Sequence, residues 1–223
     1  MFIGHFAVGF AAKRVAPRTA LTTLVVSAIF LDVLWPMFVV LGIKNLHLGP
    51  DHTPVTRMLM RPYSHSLFMA AIWAAALALT YGAWKRYRTG AITVGVAVLS
   101  HWFLDFVSHD TDLPLAPWLP IRVGMRLGGS DAADTAIEVT MFIAGIGLYM
   151  AATRARGWTG HLSLWSLVGL LVLAYAMDLI GPPRNLETPQ GVVLSALSLL
   201  LWFLWVDHSR VPRGAAGAGS GTR

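Results

Sequence analysis

The chain has 223 residues, of which 56% are hydrophobic and 13% are charged, and its mean hydropathy is +0.61. A soluble domain of this length cannot bury so much apolar surface, so the composition excludes a soluble globular protein and predicts an integral membrane protein. The absence of cysteine excludes disulfides and thiolate metal ligands. The formal net charge of +6 comes from basic residues dispersed over short loops, a pattern that does not favour nucleic-acid binding.

The apolar segments predict the fold. The first, residues 2–12, would be about 17 Å long as a helix, too short to cross a bilayer. Its basic residues follow the apolar stretch and no small-residue cleavage pattern is evident, so we expect an N-terminal half-helix that is kept in the mature protein. Six longer segments each approach the ~20 residues that cross a bilayer as a helix: 19–43, 62–82, 90–108, 135–153, 162–181 and 189–207. The sequence therefore predicts an all-α polytopic membrane helix bundle with about six transmembrane helices, in one domain over residues 1–209, followed by a disordered tail over residues 210–223.

Basic residues are unevenly divided between the loops. One set of loops carries Lys13, Arg14, Arg18, Lys85, Arg86, Arg88, Arg154, Arg156, Arg210, Arg213 and Arg223. The other set carries Lys44, Arg57, Arg61, Arg122, Arg126 and Arg184, offset by Asp51, Asp110, Asp112, Asp131, Asp134 and Glu187. The positive-inside rule places the first set, and with it the C-terminus, in the cytoplasm.

Ionisable side chains within the apolar segments are expensive in a bilayer and therefore point to a function. His101, Asp105 and His109 recur at every fourth residue, so they lie on one face of one helix, about 6 Å apart along its axis. Asp32 lies in the middle of its segment, shortly before Pro36, which is expected to kink the helix. The other groups that the predicted topology brings to the same outward-opening cavity are His5, His65, Glu138 and Asp178.

Several motifs occur together in residues 1–150. They are Met1-Phe2-Ile3-Gly4-His5, Leu31-Asp32 with Leu34-Trp35-Pro36, Pro62-Tyr63-Ser64-His65-Ser66-Leu67, Ser100-His101-Trp102 with Leu104-Asp105 and His109, and Asp112-Leu113-Pro114. As a set they resemble the bacterial membrane-bound metal-dependent hydrolases. The resemblance implies a multi-pass protein of the bacterial inner membrane with a hydrolase site, and it does not imply a substrate.

The order of the candidate ligands is similar to a second, more distant group, the zinc-dependent phospholipases C and the single-strand-specific zinc nucleases. The shared order is His5, Asp32, His65, His101-x-x-x-Asp105 and His109. This similarity implies that Glu138 is a late acidic ligand. Those enzymes hold three zinc ions with the help of an N-terminal Trp, where this chain has Met1, and of a further His near the late acid, which is not found near Glu138, so we expect one or two ions.

Imidazole and carboxylate ligands suit Zn²⁺, with Mn²⁺ as the alternative. The residues predicted for a first ion are His65, His101 and Asp105, with Asp32 as a fourth ligand or a bridge, and those predicted for a second are His5 and His109. Asp32 and Asp105 are the predicted catalytic residues, because a carboxylate between two ions can hold an activated water in line with an ester. The side chains expected to orient the ligands are Tyr63, Ser64 and Ser66.

Two function classes follow from these residues. The first is a hydrolase that acts on an ester, with a phosphodiester or a lipid-linked substrate favoured because the cavity would open at the outer bilayer face. The second is a proton or metal-ion transporter that uses the same His and Asp residues. Ligands clustered at one point would favour the enzyme, whereas ionisable groups extending to the cytoplasmic face would favour transport. For a single buried side chain such as His5, a simple hydrogen bond to a neighbouring helix stays an equal alternative, and a non-catalytic membrane anchor would leave the ionisable set unexplained.

Overall fold

The computed structural model describes residues 1–40, 62–127, 129–180 and 189–213. Within these residues the chain is mostly helical, as the sequence predicts. The helices are α1 (Ile3–Val15), α2 (Leu21–Ala28), α3 (Phe30–Val40), α4 (Leu67–Lys85), α5 (Arg88–Ser108), α6 (Asp131–Ala152), α7 (Gly157–Ile180) and α8 (Pro189–Ser209). Two short antiparallel pairs, which the sequence did not predict, complete the described fold: β1 (Leu113–Pro114) with β2 (Arg122–Val123), and β3 (Thr153–Ala155) with β4 (Arg210–Pro212).

Among the described residues, four helices are long and apolar enough to cross a membrane, namely α4, α5, α6 and α7. They correspond to four of the six predicted spans. The predicted span at 189–207 falls in α8, where the side chains of residues 189–196 lie outside the described part of the chain. Residues 41–43 of the first predicted span and residues 214–223 of the predicted tail also lie outside the described part of the chain. The count of six spans therefore stays a prediction.

The first predicted span forms two helices that are separated at Ile29, seven residues before Pro36. Ile29 has φ −101° and ψ 12°, and the Asp32 N–H donates to the Ile29 carbonyl at 3.1 Å. In a continuous helix that N–H would pair with the carbonyl of Ala28. Here the Ala28 carbonyl accepts a hydrogen bond from His101 Nδ1 at 2.9 Å instead. The interruption of the helix thus supplies a backbone acceptor to a histidine of α5.

Helix α1 lies inside the bundle, where it packs mainly on α6, α2 and α5. Most of its side chains are buried, including Phe6 and Phe10. Two glycines allow the close approach of its neighbours: a Cβ at Gly145 of α6 would lie 2.9 Å from the Cα of Ala7, and a Cβ at Gly9 would lie 2.7 Å from the Cα of Val25. The prediction that this 13-residue helix enters the membrane as a half-helix stays untested.

The two larger hydrophobic clusters among the described residues join the helices. The larger surrounds α1 and joins it to α2, α6, α7 and α8 through residues such as Phe10, Phe142 and Leu167. The smaller joins α3, α4 and α5 through residues such as Leu31 and Trp102. His5 of α1 and His101 of α5 therefore come from helices that belong to the two different clusters.

The two ends of the bundle differ in charge among the described residues. At one end, Arg18 lies over the ring of Tyr87 beside the α4–α5 turn, and Asp207 of α8 accepts hydrogen bonds from the Leu21 and Thr22 amides at the start of α2. The β3–β4 pair lies where α6 and α8 end. The basic residues at this end are Lys13, Arg14, Arg18, Lys85, Arg86, Arg88, Arg154, Arg156, Arg210 and Arg213. We call it the basic end, and it carries the side chains that the sequence assigns to the cytoplasm.

Candidate metal centre

Five ionisable side chains meet at the opposite end of the bundle. They come from four places in the chain: His5 of α1, Asp32 of α3, His65 in the helical turn before α4, and His101 with Asp105 of α5. Two groups of three each have their ligand atoms within 4.8 Å of one another, and both could hold a metal ion. One group is His5, His101 and Asp105, and the other is Asp32, His65 and His101. The two groups share His101, which makes this residue the centre of the cluster.

His101 is fixed by its backbone partner. Because a carbonyl oxygen only accepts, the Nδ1 atom that bonds to Ala28 must carry the proton, and the neutral ring then presents a lone pair at Nε2. Nε2 is buried, has no hydrogen-bond partner among the described residues, and lies 3.4 Å from Asp105 Oδ2 and 3.6 Å from Asp32 Oδ1. A lone pair that faces two carboxylates is repelled by both, so the arrangement requires a cation, either a second proton on His101 or a metal ion.

His65 approaches the cluster from the other side. Its Nε2 lies 3.2 Å from Asp32 Oδ1, and its Nδ1 lies 2.7 Å from Ser64 Oγ. Ser64 is completely buried. When Nε2 binds a metal, Nδ1–H donates to this hydroxyl, which sets the tautomer and the orientation of the ring. The Ser64 hydroxyl therefore contacts the ring of His65, and its role in orienting a metal ligand stays a prediction.

Asp105 directs its two oxygens to different partners. Whereas Oδ2 faces His101, Oδ1 lies 3.2 Å from His5 Nε2 and 3.8 Å from His109 Nε2. The Met1 nitrogen also lies 3.2 Å from Oδ1. The rings of His5 and His101 stack, with centroids 3.7 Å apart and planes at 9°. Asp105 thus links His101 on one side to His5 and His109 on the other, as a bridging carboxylate does.

Glu138 has a different contact from the one that the ligand order implies. Its Oε2 accepts hydrogen bonds from the Phe2 amide at 2.7 Å and from the Gly4 amide at 3.1 Å, at the start of α1. The carboxylate is buried and belongs to neither group of three. Acceptors at a helix N-terminus satisfy free amides and oppose the positive end of the helix dipole. In this structure Glu138 fixes the helix that carries His5.

The remaining candidates lie around the cluster or away from it. Ser66 is the N-cap of α4, and its hydroxyl accepts a hydrogen bond from the Met69 amide at 3.3 Å, which stabilises the start of the helix. The side chain of Tyr63 is half exposed, and its carbonyl accepts from the indole of Trp73. Asp178 is exposed near the end of α7.

The spacing of the donor atoms fits a metal ion. With metal–ligand distances of about 2.0–2.2 Å, neighbouring ligands of a tetrahedral ion lie about 3.3–3.6 Å apart. The four nitrogen–oxygen separations that join His5, His65 and His101 to Asp32 and Asp105 run from 3.2 to 3.6 Å. Donor type, spacing and the unpaired Nε2 of His101 therefore agree with a divalent ion.

Two features of this centre could not be found from motifs. The acceptor for His101 is a backbone carbonyl, which has no residue signature, and the break at Ile29 that frees it follows no Gly or Pro. The capping role of Glu138 depends on the packing of α6 against α1, which are far apart in the sequence.

Comparisons with protein-family models, with curated proteins and with solved structures find no match for this chain. What the described residues define is a mostly helical protein with four candidate membrane spans and a His/Asp cluster that could hold a metal ion.

Proposed function

We propose that this protein is a membrane-bound, metal-dependent hydrolase that cleaves an ester. The observation that carries the proposal is the arrangement around His101, whose buried Nε2 faces the carboxylates of Asp32 and Asp105 with no hydrogen-bond partner among the described residues. Imidazoles and carboxylates that converge at ligand distance are the donor set of hydrolytic zinc and manganese centres.

The proposal assigns donors in the cluster to two ions. A first would use His65, His101 and Asp32, together with Asp105 Oδ2. A second would use Asp105 Oδ1 with His5 and His109. The single lone pair of His101 Nε2 can serve one ion only, because Nδ1 is bonded to Ala28. Asp105 would therefore be the residue that contributes an oxygen to each ion.

The two carboxylates have different surroundings, which separates their roles. The Asp105 side chain is buried, whereas that of Asp32 is 56% exposed. A divalent ion held by these residues would acidify water and polarise the ester oxygen. Asp105 holds the centre together, and Asp32, on the accessible side, accepts the proton of the attacking water. The water oxygen joins the acid part of the ester, and the proton ends on the alcohol that leaves.

A lipid-linked substrate is favoured by the surface beside the centre. The segment between α5 and α6 exposes large apolar side chains, and Trp118 is 65% exposed. The Met125 amide of this segment donates to the carbonyl of Phe106, the residue after Asp105 in the last turns of α5. An apolar surface at this depth suits a substrate whose tail stays in the bilayer while its ester reaches the cluster.

Transport is the weaker proposal. Between His5 and Lys13 on α1, and between Arg88 and His101 on α5, the sequence contains no Asp, Glu, His, Lys or Arg. A proton or metal path through the bundle would need such groups at intervals.

We also place the protein in the bacterial inner membrane with a cytoplasmic C-terminus. The test is a C-terminal fusion to a reporter enzyme that works only outside the cytoplasm. Activity of this fusion would contradict the orientation.

The test is an activity screen of the purified full chain with added Zn²⁺ or Mn²⁺. Phosphodiester and carboxyl-ester substrates, each with a short and a long acyl chain, would be compared. We expect turnover of one ester class, higher for the long chain, and loss of turnover in Asp32→Asn and His101→Ala. Matched controls are Asp178→Asn and His161→Ala, which change exposed residues of α7 outside the cluster. Equal turnover in the cluster variants and their controls would contradict the proposal.

A further inference from the structure

A second site lies at the basic end of the bundle, far from the candidate metal centre. A cavity of about 280 Å³ opens there between the start of α2, the end of α4 and the α4–α5 turn. We call it the basic pocket and define it by Arg18, Tyr81, Trp84, Lys85 and Tyr87, which line it. Arg88 and His101 of α5 are separated by 13 positions, or about 20 Å of helix, so this pocket is separate from the His/Asp cluster.

The two cations of the basic pocket are held by aromatic rings. The Arg18 guanidinium lies 4.8 Å from the centroid of Tyr87, and Lys85 Nζ lies 3.6 Å from that of Trp84. Neither cation has a carboxylate partner among the described residues. A ring face attracts the positive charge but leaves N–H donors free, so both side chains can still donate to an anion. Arginine in particular matches the geometry of a phosphate.

The only acidic side chain described at the basic end does not neutralise the pocket. The Asp207 carboxylate accepts from the Leu21 amide at 2.6 Å, from the Thr22 amide at 2.8 Å and from the Thr22 hydroxyl at 2.6 Å. Its oxygens are therefore committed to the start of α2. Arg18 and Lys85 are therefore available to bind an anionic ligand.

The wall of the pocket is built by close packing. The Tyr81 hydroxyl donates to Thr19 Oγ1 at 3.0 Å, and Lys13 Nζ donates to the Thr19 carbonyl at 2.6 Å. A Cβ at Gly90 would lie 2.7 Å from Thr19 Oγ1 and 2.8 Å from Tyr81 Cε1, so only glycine lets these groups meet. Contacts among α1, the α1–α2 connection, α4 and α5 thus hold this wall of the pocket in place.

The position of the pocket indicates the kind of ligand. Lys85 is the last residue of one candidate span and Arg88 is the first of the next, so the pocket lies where the bilayer has its headgroups. Trp84 is 72% exposed, as is typical of aromatic residues at that level. Basic pockets between spans on the cytoplasmic side bind the headgroups of anionic lipids. A cavity just under the roughly 300 Å³ at which small-molecule pockets begin suits a headgroup better than a whole lipid.

We propose that the basic pocket binds the phosphodiester headgroup of an anionic phospholipid. Arg18 and Lys85 donate to the phosphate oxygens, and the acyl chains lie along the exposed apolar face of α4, where Leu79 faces outward. The site anchors the end of the bundle opposite the candidate metal centre, and it does not depend on the proposed hydrolase activity.

The test is lipid binding by the purified full chain, measured by native mass spectrometry with phosphatidylglycerol and with phosphatidylcholine in mixed micelles. The pocket variant is Arg18→Gln with Lys85→Gln. The matched control is Arg14→Gln with Arg154→Gln, which removes two exposed charges from the basic end outside the pocket. We expect selective binding of phosphatidylglycerol by the wild type and the control, and roughly 30-fold weaker binding by the pocket variant.

A charge-conserving variant, Arg18→Lys with Lys85→Arg, separates ligand binding from folding and should keep most of the affinity. Metal content and ester hydrolysis in detergent should not change in the pocket variant. Equal loss of affinity in the control, or binding of phosphatidylcholine as strongly as phosphatidylglycerol, would overturn the proposal. Binding of inorganic phosphate without binding of phosphatidylglycerol would also overturn it, because the ligand would then be a free anion.

Discussion

Replacing Ser64 with alanine isolates the orientation of one metal ligand without touching the ligands themselves. Its Oγ lies 2.7 Å from Nδ1 of His65, whose Nε2 lies 3.2 Å from Asp32. Losing such an outer partner weakens metal binding by roughly 10- to 100-fold, equivalent to about 1.4–2.7 kcal/mol. We therefore expect the dissociation constant for Zn²⁺, measured by competition with a chromophoric chelator, to rise by this factor in Ser64→Ala.

Ser163→Ala is the matched control for this prediction. Ser163 is also completely buried, and its Oγ lies 2.6 Å from Ser209 Oγ, between α7 and α8 and away from the cluster. Both variants lose a buried hydroxyl contact worth about 1 kcal/mol of folding free energy, so their metal-free proteins should melt at similarly reduced temperatures. Only Ser64→Ala should lose metal affinity. An unchanged dissociation constant in Ser64→Ala, or an equal change in both variants, would refute the reasoning.

Three further predictions concern the helices that carry the site. Glu138→Gln should lower the melting temperature, because about 0.5–2 kcal/mol of stabilisation is lost from the α1 cap. The variant should still bind the metal. Loss of metal at an unchanged melting temperature would instead identify Glu138 as a ligand. Gly145→Ala should destabilise the protein by about 1–3 kcal/mol through overpacking against Ala7, whereas Gly147→Ala, where a Cβ meets no described atom within 4 Å, should not. Similar thermal shifts in the two glycine variants would contradict the close packing of α1 on α6. Asp207→Asn should weaken the cap of α2 by about 1 kcal/mol, and hydrogen exchange of the first α2 amides should report it; unchanged exchange there would speak against the cap.

The sequence predicted the helical class and the four long spans well, because each is a single apolar run that ends near charged residues. The run over 135–153, for example, corresponds to α6. It did not predict the division at Ile29, because nothing local interrupts the helix there. The break is accompanied by a hydrogen bond from His101 to the Ala28 carbonyl, a sequence separation of 73 residues. A contact between residues so far apart cannot be predicted from hydropathy.

The candidate site shows the same division between local and non-local information. The four-residue spacing of His101 and Asp105 predicts that they share a helix face, and the structure brings them to 3.4 Å. The predicted depth of His5, Asp32 and His65 in the membrane suggested that they lie near His101, and in the structure all three do. The sequence could not show that Glu138 accepts hydrogen bonds from the amides at the start of α1. A buried glutamate that caps a helix and one that binds a metal look the same in the sequence.

The presence of metal in the purified full chain tests the central claim most directly. Elemental analysis of the protein in detergent, prepared in parallel as wild type, His101→Ala and the exposed control His161→Ala, would measure it. We expect one or two equivalents of Zn or Mn in the wild type and in the control, and a loss of at least one equivalent in His101→Ala, because both groups of three include His101. Folded wild type that binds no metal even after it is added back, or full metal occupancy in His101→Ala, would contradict the assignment.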